Sequence, residues 1–213
     1  SNFPKMCVNK SFPVQPYVLT KYANIKAPAF LNDITNYHNR GDSTFAGESS
    51  TYGDFYGLDD LFTEKPQVVA GETKLWSDWI TKYNIDGYRI DTAKHVNPEF
   101  WQAFLPKVIA AAKAAGKNEF PIFGEVFDTD PNNTAVFVSD QKFPSVLDFP
   151  FQAATSKYAT YGNGESDLVD LFNQDDLYTT ANSSAYSLTT FLGNHDMGRI
   201  GYFLQQNTEA TAA

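Results

Sequence analysis

Acidic residues close three short apolar runs of this chain. Gly87–His95 reads GYRIDTAKH: Ile85, Tyr88 and Ile90 make a strand pattern after the turn-like Asn84, then Arg89, Asp91, Lys94 and His95 bring charge within seven residues. Phe120–Val126 is a second run, with Glu125, Asp128 and Asp130 at its end. Ser187–Leu192 is another, followed by Gly193-Asn194-His195-Asp196. Two carboxylates flanking a glycosidic bond suffice for its hydrolysis: one protonates the leaving oxygen, the other attacks or activates water. A third can stabilise the positive charge that develops at the anomeric carbon. Arg89 and Asp91 are two apart, so on a strand they share a face and can pair. Ion pairs of that kind also occur with no catalytic role.

The elements between these acids alternate. Leu75, Trp76, Trp79 and Ile80 fall on one face at spacings of three and four and predict a helix over 72–83. Asn97-Pro98-Glu99 is a helix start, with Asn as cap and Pro in the first turn. Phe100, Phe104 and Val108 continue that helix, which Gly116 ends as a left-handed cap. Ser145–Phe149 is a third strand. A helical region then runs to about Phe172, broken at Gly162 and Gly164, and another helix follows from Arg199. Strand, helix, strand, helix predicts a parallel sheet. In β/α barrels the C-terminal ends of the strands carry the chemistry. No GxGxxG or Walker motif is present to suggest a nucleotide-binding sheet.

Residues 1 to about 58 read as irregular and partly β, because Pro4, Pro13, Pro16 and Pro28 interrupt every candidate helix. Aromatics at Tyr37, Phe45, Tyr52, Phe55 and Tyr56 predict packed structure there rather than a linker. The chain has 213 residues, 42% apolar and 19% charged, which is a globular composition. Its net charge of −9, with no Lys/Arg cluster, argues against nucleic acid or anionic membrane as partner. No apolar run is long enough for a transmembrane helix. Aromatics reach 15%, and some of them could serve as platforms for sugar rings. Cys7 is the only cysteine, so no internal disulfide is expected. The start SNFPK has no leader pattern and no initiator Met, which reads as a processed chain or a piece of a longer one.

The residues around the acids resemble the alpha-amylase family of glycoside hydrolases. GYRIDTAKH is similar to that family's strand-four motif, FGEVFD (123–128) to its strand-five motif and FLGNHD (191–196) to its strand-seven motif. GLDDL (57–61) looks like the short motif that ends the lobe inserted after strand three, and residues 35–61 look like bacterial secreted alpha-amylases. The resemblance implies an α/β fold: part of a (β/α)8 TIM barrel, about strands four to seven, over 61–213, preceded by a loop-rich inserted lobe over 1–60. It implies endo-acting, retaining hydrolysis of α-1,4-glucosidic bonds in starch and maltooligosaccharides. Asp91 would be the nucleophile, Glu125 the proton donor and then base, and Asp196 the transition-state stabiliser. Arg89 would orient Asp91, His195 would donate to sugar hydroxyls, and Lys94 and His95 would line the leaving-group side. Calcium would be the structural ion, with Asp60 and the His95 carbonyl among its ligands, although Asp60 also reads as an ordinary loop or cap residue. An extracellular or periplasmic place is implied because starch lies outside the cell. An α-glucosidase or transglycosylase of the same family is an alternative, as is a non-catalytic amylase-like glucan-binding protein.

The family's strand-three motif, an Asp followed shortly by Asn-His, is not found, and His38 in NYHNRGD does not replace it. Strands one to three and strand eight are not found either. The missing Asn and His imply weakened calcium affinity. Half a barrel would expose two sheet edges. A fragment of a longer enzyme, pairing with another fragment, or a homodimer completing the barrel would each resolve this.

Overall fold

The computed structural model describes residues 18–207. Pro4, Cys7, Pro13 and Pro16 lie outside the described residues. The chain divides into two compact units, 1–85 with 95–119, and 86–94 with 120–213.

In the first unit, residues 18–65 are built from short turns. One helical turn, α1 (Ser49–Tyr52), and isolated bridges Tyr37–Leu61, Asp42–Asp54 and Phe55–Leu58 are its regular pieces. The irregular, partly β expectation therefore holds for the described part of this stretch. Polar side chains close its backbone: buried Ser49 accepts from the Thr44 N–H at 3.0 Å and donates to the Ala46 carbonyl at 2.9 Å.

Two long helices follow. α2 (Pro66–Tyr83) begins upstream of Glu72 because Pro66, with no N–H to satisfy, takes the first helical position. Asn84 ends it in the left-handed region, φ 56°. Its buried line is Val68, Glu72 and Ile80, whereas Trp76 and Trp79 are 37% and 41% exposed. The indoles flank the buried line, with Trp79 against Tyr83 at 4.7 Å and the Trp76 N–H donating to Glu72 at 2.8 Å. α3 (Pro98–Ala114) packs on α2 and buries Phe100, Phe104, Leu105 and Val108. Gly116, at φ +82°, ends it as expected. Asn97 occupies the N-cap position, but its side chain does not cap. It bonds Glu99 at 3.1 Å and accepts from the Thr63 hydroxyl at 2.7 Å.

His38 is the buried polar centre of this unit, at 3% exposure. Its Nδ1 lies 2.6 Å from Asp60 Oδ2 and its Nε2 lies 2.8 Å from Glu64 Oε2, with Tyr52 and Phe62 rings at 4.9 and 4.6 Å. Only the doubly protonated ring donates to both acids. Burial alone would lower its pKa, but the hydrogen bonds it donates to Asp60 and Glu64, with their charges, outweigh burial and raise it above 6.5. The stabilisation is therefore complete below pH 6.5 and is lost as pH rises through the raised folded value. His38→Ala leaves two carboxylates without their cation and is expected to cost about 3–5 kcal/mol. Thermal denaturation at pH 6 checks this, and a loss below about 1 kcal/mol would contradict it.

The second unit is built on a parallel sheet, β1 (Tyr88–Ile90), β2 (Ile122–Gly124) and β3 (Ser145–Val146), in that order. The register pairs Arg89 with Phe123 and Gly124 with Val146. The fourth expected strand, 187–192, is a single parallel bridge, Leu147–Thr189. It stays short because a 3-10 turn occupies Ala185–Ser187 and pairing starts only at Thr189. The strands are shorter than their apolar runs because the chain turns away at each acidic end. Val126, Phe143, Val146 and Phe149 are buried in this unit. A Cβ on Gly124 would lie 2.7 Å from the Phe143 ring, so β2 needs glycine beside that side chain.

Helices α4 (Pro131–Ser139), α5 (Phe149–Tyr161), α6 (Glu165–Phe172) and α7 (Ile200–Gln206) complete the unit. Asp148 caps α5 by accepting from the Phe151 N–H at 3.0 Å. The break at Gly162 and Gly164 and the helix after Arg199 match the sequence reading. α4 was not expected. Its signals are Asp130, which caps through the Asn132 N–H at 2.9 Å, and Pro131 in its first turn. Among the described residues no helix is long and apolar enough to cross a membrane.

Candidate active site

The parallel ladder continues one step past the regular strands. The Glu125 N–H donates to the Ile90 carbonyl at 2.8 Å, and the Leu147 N–H donates to the Gly124 carbonyl at 2.9 Å. Asp91 and Glu125 thus leave adjacent strands at the same end, where strand pleating turns Arg89 to the same side as Asp91.

Arg89 joins the two acids. Its Nη1 lies 2.5 Å from Asp91 Oδ1 and its Nη2 lies 3.0 Å from Glu125 Oε1. Burial works against the guanidinium charge, but hydrogen bonding to Asp91 and the fields of Glu125, Asp91 and Asp196 outweigh it, raising the Arg89 pKa above its usual value. The Asp91 side chain is 64% exposed and that of Glu125 only 13%.

Glu125 has a second anchor. Its Oε2 accepts from the Thr92 backbone N–H at 3.0 Å. Thr92 holds φ at +49°, a conformation that β-branched residues rarely adopt. Such strain costs on the order of 1–3 kcal/mol and persists only where the surroundings over-determine it. Sequence reasoning missed this donor because a backbone N–H has no residue-type signature.

The other expected site residues are distributed as follows. Asp196 lies 3.2 Å from His195 Nε2, and both side chains are open, at 56% and 71% exposure. Asn194 fixes this turn, its Oδ1 accepting from the Asp196 N–H at 2.9 Å and the Met197 N–H at 3.0 Å. Lys94 donates to the Phe127 carbonyl at 3.0 Å and to Asp128 at 3.2 Å, strapping the loop after β1 to the loop after β2. Burial would raise the Asp128 pKa, but hydrogen bonds from Asp130, Asn133 and Lys94 bring it below the usual range.

His95 and Asp60 belong to the first unit. The His95 Nδ1 donates to the Ser50 carbonyl at 2.9 Å, and its ring meets Phe45 and Phe55 edge-on at 5.9 Å each. Phe45, Phe55 and Tyr56 keep 38%, 37% and 75% of their surface exposed. They form an aromatic surface rather than a sealed core.

Calcium takes six to eight oxygen ligands. Asp60 Oδ2 is instead directed at His38, and burial, partly offset by His38, raises the Asp60 pKa. Among the described residues no three His, Cys, Asp or Glu side chains converge to hold a metal ion. The described residues therefore do not by themselves fit a calcium cage.

A family described as "Alpha amylase, catalytic domain" matches residues 2–213. An alpha-amylase of Streptomyces lividans is 51% identical over 197 residues, covering 92% of this chain and 21% of that protein. A cyclomaltodextrin glucanotransferase of Klebsiella oxytoca is 26% identical, covering 80% of this chain and 27% of that protein. Among solved structures, the alpha-amylase of Geobacillus thermoleovorans in complex with acarbose is similar at TM-score 0.69 and 27% identity, covering 84% of this chain and 39% of that one. This chain spans well under half the length of each of these proteins.

Proposed function

The chain belongs to the alpha-amylase family, its sheet is part of a (β/α)8 barrel, and we propose that it carries the catalytic acids of a retaining hydrolase that cuts internal α-1,4-glucosidic bonds of starch-like glucans. The observation that carries this reading is the single guanidinium shared by Asp91 and Glu125 at the ends of neighbouring parallel strands. A shared cation keeps the two carboxylates close together. Close carboxylates are the arrangement of retaining glycosidases, in which one attacks the sugar directly.

In the first step Glu125 gives its proton to the glycosidic oxygen while Asp91 bonds to the anomeric carbon. The C–O bond breaks, and the leaving glucan departs with the proton. In the second step Glu125 takes a proton from water, the oxygen attacks the anomeric carbon, and Asp91 leaves as a carboxylate. Asp196 and His195 bind sugar hydroxyls as positive charge builds on the ring. Lys94 and His95 act on the leaving-group side.

Calcium at Asp60 and the His95 carbonyl would need further oxygen ligands from outside the described residues. Because His38 already supplies a cation to Asp60, chelation is expected to lower the melting temperature less than His38→Ala does. A larger effect of chelator in the same denaturation assay would reverse that ranking. The barrel's remaining strands would come from the rest of a longer chain, from another fragment or from a second copy, and sedimentation of the purified protein tests the last of these. We place the enzyme outside the cytoplasm, with its polymeric substrate.

Incubation of the intact protein with maltoheptaose tests the activity. Short oligosaccharides of several lengths support internal hydrolysis. Glucose alone supports an α-glucosidase. Products longer than the substrate support a transglycosylase, the reading that similarity to a glucanotransferase favours.

A further inference from the structure

Both oxygens of Glu125 are held by residues of the β1 end. Arg89 Nη2 lies 3.0 Å from Oε1, and the Thr92 N–H lies 3.0 Å from Oε2. The Glu125 N–H is bonded to the Ile90 carbonyl, so the main chain of the acid is fixed to the same strand. The Thr92 N–H reaches Oε2 only because the chain turns left-handed directly after Asp91. One turn thus releases the Asp91 side chain into the open and sends the next amide back to the other acid.

We propose that Thr92 is a positioning residue whose strained main-chain amide fixes the Glu125 carboxyl so that its proton leaves from Oε2. This rests on the reading of Glu125 as proton donor. Both oxygens accept an N–H, but Oε1 faces a permanent guanidinium and Oε2 a neutral amide, so a proton on Oε1 would also meet a full positive charge. The exchangeable proton therefore belongs on Oε2. The Thr92 N–H takes one lone-pair direction of that oxygen and leaves the other for the proton. In the first step this proton moves to the glycosidic oxygen as its bond to carbon breaks and the Asp91 bond forms. Displacements of about 1 Å in such groups can cost 10²-fold in rate.

The test replaces Thr92 in the intact protein by its α-hydroxy acid analogue, turning one amide into an ester and removing only the N–H. kcat/KM is measured on maltoheptaose, whose leaving alkoxide needs a proton, and on α-maltosyl fluoride, whose leaving fluoride needs little help. The maltoheptaose value should fall roughly tenfold or more relative to the fluoride value. Thr92→Gly, which keeps the N–H but loosens the turn, should show the same signature several-fold weaker and covers the case in which the ester does not fold. An equal fall on both substrates, or no fall, overturns the role of Thr92. Glu125→Gln run alongside separates the two readings. Leaving-group dependence in Glu125→Gln but not in either Thr92 variant defeats this inference alone, and its absence from Glu125→Gln defeats the assignment of the acid itself.

Discussion

Glu125→Gln is expected to lower turnover on soluble starch by roughly 10²–10⁴-fold, the range that general acid–base catalysis supplies. Gln keeps the shape of the side chain but has no proton to give at neutral pH. Its effect should be almost wholly on kcat, with oligosaccharide affinity, read by calorimetry, staying within a few-fold. A stability cost is also expected. The carboxylate accepts from Arg89 on one oxygen and from Thr92 on the other. An amide has one acceptor, so its NH2 must face a donor. Leaving one such group unsatisfied costs about 1–3 kcal/mol. Turnover within tenfold of the parent would mean that another group delivers the proton.

Arg89→Ala removes the cation shared by both acids. Asp91 and Glu125 then face each other with no cation between them to hold their geometry. kcat/KM at neutral pH should therefore fall by about 10²-fold, as for a misplaced catalytic group. Arg89→Lys should recover only part of the loss, because a point charge cannot bridge two carboxylates as the planar fork does. A kcat/KM for Arg89→Ala within a few-fold of the parent would contradict the bridging role.

The strand ends that carry Asp91 and Glu125 were legible because they are marked by the switch from apolar to charged residues. The α3 boundary and the α5–α6 break were legible because Gly116, Gly162 and Gly164 hold left-handed backbone that favours glycine. Spacing found the α2 helix, but not that Val68, Glu72 and Ile80 form its buried line, which Trp76 and Trp79 flank. α4 was hidden by the polar PNNT sequence, and Asp130 was read with the acids that end the second run. The His38 cluster was illegible because Asp60 and Glu64 lie 22 and 26 residues away and meet it only through the fold. The contact of the Thr92 amide with Glu125 was illegible in principle, since it depends on a backbone angle.

The central claim is that Asp91 forms the covalent bond to the sugar. The most direct measurement combines Glu125→Gln with α-maltosyl fluoride. Fluoride leaves without strong acid help, so the first step proceeds, and loss of the base stalls the second. Proteolysis and mass spectrometry of the quenched protein should find a maltosyl group on the peptide containing Asp91. No adduct, with product released as the β-anomer, or an adduct on a peptide without Asp91, would contradict the account.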